Sequence, residues 1–337
     1  MSTLASNQLT LMDLAKRLDP DGSVPTIAEL LSQTNDLLLD IPWVEGNLPT
    51  GHRCTVRTGL PTAAWRLLNR GTTPSKSTTA QIDEGCGILE AWSEVDKDLA
   101  ELNGNVSAFR LSEAMAFIEA MNQEMAGTVF YGNSSLSPEE FTALAPRYSS
   151  LTANIGQNVI SGGSSDTDNS SIWLVVWSPN TIHGIYPKGS KAGLSHVDLG
   201  LQTVETTVGV DENAPGTRMR AYQEQWQWKC GIAVKDWRFA VRICNIDISN
   251  LVAKSSAADL IELMIKAVHR IPALRLGKAA WYMNRSCFEM LDIQRRDDVI
   301  TGGGLVYSNV DGMIVPTFRQ IPIRIVDQLT QAESVVS

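Results

Sequence analysis

Arg57-Thr58-Gly59-Leu60-Pro61-Thr62-Ala63-Ala64-Trp65-Arg66-Leu67-Leu68-Asn69-Arg70-Gly71 lies at the centre of a stretch, residues 43–84, whose texture differs from its surroundings. Gly46, Pro49, Gly51, Gly59, Pro61, Gly71 and Pro74 punctuate it every few residues. Strand-like pieces at 52–58 and 78–83 flank its polar, cationic middle, which carries Arg66, Arg70 and Lys76. Two extended edges around a long turn-rich centre predict a hairpin projecting from a body. A loop this long is normally either functional or disordered. Trp65, Leu67 and Leu68 are residue types that a disordered linker seldom carries, so the loop is expected to become buried against something.

The flanks supply the body. Residues 1–42 read as an arm with one short helix, at Leu4, Leu9, Leu11 and Leu14, and a second leucine-rich stretch from Thr26 to Leu39. Leu111, Ala114, Met115, Ile118, Met121 and Met125 recur at helical spacing and predict a helix over 112–131, capped by Ser112 and stopped by Gly132-Asn133. Gly127 is expected to distort its last turn. The apolar run 172–177 predicts a strand buried on both faces. Trp226, Trp228, Cys230, Ile232 and Val234 alternate on even numbers, then Trp237, Phe239, Val241 and Ile243 on odd ones. A two-residue turn at Lys235-Asp236 would explain that change of parity and predicts a hairpin over 226–243, with Trp228 facing Ile243. A capping box at 256–259 opens a further helix, followed by a strand at 279–284, a short helix at 286–293, the Gly302-Gly303-Gly304 loop, and paired strands over 312–326. The fold class is α+β.

Composition narrows the function. The chain has 337 residues, 43% apolar and 19% charged, enough for one or two domains with a sizeable core. Its 28 basic and 37 acidic residues give a net charge of −9, and no basic stripe suits a dedicated nucleic-acid binder. No apolar run approaches a membrane span, and the N-terminus does not read as a signal peptide. Five cysteines without close spacing, Cys54, Cys86, Cys230, Cys244 and Cys287, read as reduced thiols of a protein made in a cytoplasm.

Catalytic motifs are missing. Gly277-Lys278-Ala279 lacks the rest of a phosphate loop, and Gly189-Ser190-Lys191 is no nucleophile elbow. His52 and Cys54 share one strand face, yet nothing nearby in the sequence completes a metal site. Neither a cofactor nor a catalytic set is expected. An enzyme would need a non-local site, for which Asp198, Glu205 and His196 are the candidates.

Three stretches resemble the major capsid proteins of tailed double-stranded DNA bacteriophages, the Hong Kong 97 capsid fold. They are Arg57–Pro61 with Trp65–Gly71, similar to that family's extended loop; the helix ending Phe130-Tyr131-Gly132-Asn133, similar to its spine helix; and Trp281-Tyr282-Met283-Asn284 through to Pro322-Ile323-Arg324-Ile325-Val326-Asp327, similar to its C-terminal strands. The resemblance implies an N-terminal arm (1–42), an extended loop (43–84), a peripheral domain (85–145) with a spine helix (112–131), an axial domain (146–292), and C-terminal strands (293–337) returning to the peripheral domain. It implies a shell protein assembling as hexamers and pentamers around packaged double-stranded DNA, without sequence-specific binding, in a virion built in a bacterial cytoplasm. Trp65, Arg66, Leu67, Leu68, Arg70 and Lys76 become candidate inter-subunit contacts. A separate scaffolding protein is expected, because the putative loop begins within about forty residues of the N-terminus. A portal protein and a decoration protein are further expected partners; membranes are not. Lys–Asn crosslinks, which some such shells form, are expected to be absent. An encapsulin-like nanocompartment shell is the alternative sharing the fold.

Overall fold

The computed structural model describes residues 35, 37–102, 105–206, 217–254, 257–297, 305–310 and 313–337. Helices and strands are intermixed along the chain, as an α+β fold requires. Two compact units emerge: one joins 88–125 to 193–228, and the other gathers 34–87, 126–192 and 229–337.

In the first unit, Leu194–Thr206 pairs antiparallel with Thr217–Val234, from Leu194 opposite Trp228 to Thr206 opposite Thr217. A bulge between Asp198 and Gly200 is accommodated by Gly200 at φ 67°, a conformation that glycine adopts without a Cβ penalty. Strand Gly87–Asp96 lies on the other side of Thr217–Val234. Its Leu89 and Ala91 pack with Phe117, Trp228 and the buried Ala114, Met121 and Trp226. Phe117 stacks on Trp226 at 5.3 Å, adding a ring-on-ring contact to that burial.

The long helix runs Val106–Tyr131, beginning before the expected Ser112. Asn105 caps it, Oδ1 accepting from Ala108 N at 3.2 Å, while the Ser112 hydroxyl donates to Phe109 O inside the helix. It continues as a helix through Gly127 to Tyr131. The predicted apolar stripe divides. Ala114, Met121 and Met125 are buried, but Leu111, Met115 and Ile118 are exposed. At 100° per residue Leu111, Met115 and Ile118 lie together at one edge of the stripe, about 40–100° round from Ala114, and that edge is the one left uncovered.

The second unit is built on strand Asn169–Trp177, buried along its whole length. Ala240–Asp247 pairs with it antiparallel on one side, and Lys278–Met283 antiparallel on the other. Ile321–Ile325 continues parallel to Lys278–Met283, and Met313–Phe318 and Leu305–Val310 follow in antiparallel order. Arg319 and Gln320, both at positive φ, make the tight turn of that hairpin. Helix Leu260–Arg270 buries Leu260, Leu263, Met264 and Ala267. Its cap is Asp259, whose carboxylate accepts from Glu262 N at 2.9 Å; Ser256, where the capping box was expected to start, lies outside the described residues, as does Gly302-Gly303-Gly304.

The hairpin expected over 226–243 does not form. The chain does turn at Lys235-Asp236, but Asp236 caps a 3-10 turn, Trp237–Phe239, with its carboxylate accepting from Arg238 N at 3.0 Å. Gly231 to Val234 then pair with Ile182–Ile185, whereas Ala240–Ile243 pair with Ile172–Val175, and 242–244 with Val159–Ser161. Trp228 stands opposite Leu194, and Ile243 opposite Ile172. Lys-Asp lacks the positive-φ chemistry of a two-residue hairpin turn. Every residue of Ala240–Asp247 is buried, so its alternation never reported a single face.

A buried polar cluster ties the C-terminal segment to this core. Arg242 Nη2 reaches Glu333 Oε2 at 2.8 Å, both side chains being about 5% exposed or less. Tyr131 OH and Ser171 Oγ donate to the same carboxylate, and Arg242 Nη1 donates to Tyr148 O. Asn245, at φ 56°, exchanges two hydrogen bonds with Val336, each 2.9 Å. Trp173 lies over this cluster, 5.3 Å from the Arg242 guanidinium.

Candidate inter-subunit site

The projecting hairpin is present. Gly51–Gly59 pairs with Thr78–Gly85 from Gly51 opposite Gly85 to Gly59 opposite Thr78, as a separate two-stranded sheet. Val, Thr and Ile residues at 55, 56, 78, 79 and 82 suit an extended pair, and Arg53 and Asp83 close a bidentate bridge across it at 2.6 Å. That bridge lowers the Asp83 carboxyl below its ordinary range. At the root, buried Glu84 takes two bonds from the Arg147 guanidinium, at 2.7 and 2.5 Å. Asn47 brackets Arg53, accepting from its N–H and donating to its carbonyl. A Cβ at Gly51 would stand 2.0 Å from Glu84 O, so only glycine lets the two strands start this close.

Between the strands, residues 60–77 form no regular secondary structure. Arg70 N donates to Leu67 O, and Asn69 at φ 64° makes the bend at the tip. Trp65 is 104% exposed, and Leu67 and Leu68 are exposed as well. Arg66, Arg70 and Lys76 also stand in solvent and form no ion pair among the described residues. From Cys54 to Ile82 the hairpin carries Arg57, Arg66, Arg70 and Lys76 and no acid, on a chain of net charge −9. All six candidate contacts are therefore gathered on one cationic, apolar tip that its own unit leaves uncovered. An open groove of about 1280 Å³ runs along the root, between the Gly51–Gly59 strand and Asn180, Lys235 and Arg238.

The non-local enzyme site does not assemble. His196 Nε2 lies 2.9 Å from Glu224 Oε2, and Asp198 pairs with Arg110 at 2.7 Å. Glu205 is further along the ladder, opposite Arg218 and paired with it. His196 and Asp198 belong to a structural network around Arg110, which also holds Glu224 at 2.6 Å and lies over the Tyr222 ring. Burial pushes the Cys86 and Cys244 thiols to about 11 and Cys287 to about 12, which keeps them protonated and poor nucleophiles. Asp166, Asp168 and Asp247 bring three carboxylates together. Two of them are engaged by backbone N–H groups at the start of Ile248–Ala253: Asp247 accepts from Asn250 N, and Asp168 from Ser249 N. Among the described residues no helix is long and apolar enough to cross a membrane.

The exposed apolar stripe Leu111, Met115 and Ile118 was not separated from the core stripe by sequence reasoning.

Comparison with known proteins supplies the family. The family model for major capsid protein GP7 matches residues 19–337. A chain in the structure of bacteriophage epsilon15 is 29% identical, superposes with a TM-score of 0.77, and is matched over 100% of both chains. A chain of the bacteriophage JBD30 capsid is 9% identical with a TM-score of 0.45 over 90% of this chain and 93% of that one. A chain of the capsid of a native GTA particle is 10% identical with a TM-score of 0.44 over 67% and 95%. The latter two similarities add no weight to the assignment. No curated protein matches. The chain belongs to the GP7 family of major capsid proteins: a structural protein of the virion, with the Hong Kong 97-like fold, that assembles with copies of itself into the icosahedral shell of a phage head.

Proposed function

We propose that the Gly51–Gly59/Thr78–Gly85 hairpin is the arm by which each copy grips its neighbour, in hexamers and pentamers that close around packaged double-stranded DNA. The observation that carries this reading is the tip: Trp65, Leu67 and Leu68 are uncovered in the single chain, beside four cations without acids between them. Large apolar side chains held out on a two-stranded ribbon are unstable there unless another surface removes them from water. The net acidity of the rest of the chain favours a second copy as that surface, with Arg66, Arg70 and Lys76 meeting acids at the rim. In this reading residues 1–42 embrace neighbours, 43–84 are the extended loop, 85–145 and 293–337 serve the peripheral region, and 146–292 line the five- and six-fold axes. A separate scaffolding protein, a portal and a decoration protein are the further partners proposed, and no step is enzymatic. The enclosed DNA is contained without being gripped, consistent with a shell of negative net charge.

Replacing residues 61–77 by a short Gly-Ser turn tests the assembly role. The loop has no secondary structure and contributes nothing buried to its own unit, so the variant should remain folded by circular dichroism and fail to sediment as closed particles. Normal shells from this variant would withdraw the role given to Trp65, Arg66 and Arg70.

A further inference from the structure

Two histidines meet where the hairpin joins its unit. His52 lies on Gly51–Gly59 and His183 on Ile182–Tyr186, with ring centroids 5.8 Å apart and planes at 79°. His183 is wholly buried, and neither of its ring nitrogens has a hydrogen-bond partner; His52 Nδ1 is buried without one too. Native folds pair nearly all such atoms, which makes this joint unusual.

His52 lines the open groove along the root, whereas His183 behind it is wholly buried. A Cβ at Gly231 would lie 2.5 Å from Gly85 O, and Gly51 is similarly closed against Glu84 O. The charged groups reaching the rings are Lys235 and Glu84. Lys235, whose Nζ donates to Pro179 O, repels a new positive charge, and Glu84, engaged by Arg147, offsets this only in part. Cys54, two residues along the same strand, is held protonated by its burial. His52, Cys54 and His183 do not gather as a cation site; among the described residues only the three aspartates noted above do so.

We infer that His52 and His183 form an acid-labile latch, whose neutral rings seat the hairpin root and whose protonation releases it. Burial lowers His183 to about 4, with Lys235 and His52 adding to the effect. Burial also lowers His52, reinforced by Lys235 and opposed by Glu84. An opened root returns the rings to the ordinary 6.5. Between 6.5 and 4 the open form therefore binds more protons than the closed one. Closure is fully favoured above 6.5 and weakens as pH falls towards 4. Through His183 alone, opening gains about tenfold per pH unit, roughly 300-fold across the window. The latch belongs to the single chain and stands whether or not the loop tip touches a neighbour.

Hydrogen exchange of the full chain, read by mass spectrometry from pH 7.5 to 4.5 and corrected for intrinsic exchange, tests it. Peptides covering 46–54 and 82–87 should lose protection by about 100-fold relative to 169–177. His183→Phe and His52→Phe should each reduce that pH dependence. Unchanged root protection in the wild-type chain, or the full loss persisting in both variants, overturns the latch. Should a variant fail to fold, NMR titration of the four histidine rings in the wild-type chain decides. A His183 ring titrating well below 6.5 supports the latch, and one titrating at 6.5 overturns it.

Discussion

Trp65→Ser separates the stability of one chain from the stability of the shell. In the single chain the indole is fully solvated, so its removal should change unfolding by no more than about 0.5 kcal/mol. In the shell the same side chain is expected to lose most of its contact with water. An indole buries on the order of 150–250 Å², and a central aromatic anchor at an interface is worth about 2–4 kcal/mol when truncated. Each copy carries one such tip, so that loss enters the association free energy of every subunit. At about 1.4 kcal/mol per tenfold change, the critical concentration for assembly should rise roughly 30- to 700-fold. Thermal unfolding of the unassembled chain and sedimentation of particles over a concentration series give the two readings. An unaltered critical concentration would refute the reasoning. So would a marked fall in the melting temperature of the chain, because that would mean Trp65 packs within its own subunit.

Other expectations follow from the buried groups. Arg242→Met should cost about 3–5 kcal/mol by leaving Glu333 buried without its cation, and adding Glu333→Leu should restore much of the loss, both measured by denaturant unfolding. The first unit should weaken in acid. Arg110 and Gly200 N–H hold Asp198 below its ordinary value, so that contribution is complete above about pH 4 and vanishes as pH falls through the folded value. Arg110→Gln should flatten this part of the acid limb of a pH–stability curve. Cys230 and Cys287 should resist a thiol reagent in the native chain at pH 8 and react on unfolding, as burial raises both thiols. Mature particles boiled in detergent should run as a single band, since Lys76 stands in solvent without a neighbouring base among the described residues to activate it; a ladder of multimers would contradict this.

Some of this architecture is written locally and was legible; some depends on partners distant in sequence and was not. The 43–84 hairpin was readable because glycine and proline mark its joints and because Trp65 has no local reason to sit among polar residues. Asn169–Trp177 was readable because a run apolar at every position suits a strand covered on both sides. The pairing of 226–243 was not, since two adjacent strands in sequence need not be neighbours in a sheet, and Ile182–Tyr186 takes the place that the turn seemed to reserve. The helix was found but its face was misjudged. Periodicity counts apolar residues without saying which will be covered, and Leu111, Met115 and Ile118 are not. Candidate contacts at the loop tip were legible as chemistry alone; the buried His52–His183 joint required two strands far apart in sequence to be brought together.

The knot around Glu333 sets an order on the life of each copy. During synthesis Tyr131, Ser171 and Arg242 all leave the ribosome before Glu333 does. Until it arrives, the Arg242 guanidinium has no anion to accompany it into the core, and Val336 is not there to satisfy Asn245. The central strands therefore reach their full stability only once Glu333 is in place. In a shell built from many identical copies, holding Glu333 at the innermost position makes the stability of each subunit depend on a segment translated after its core strands.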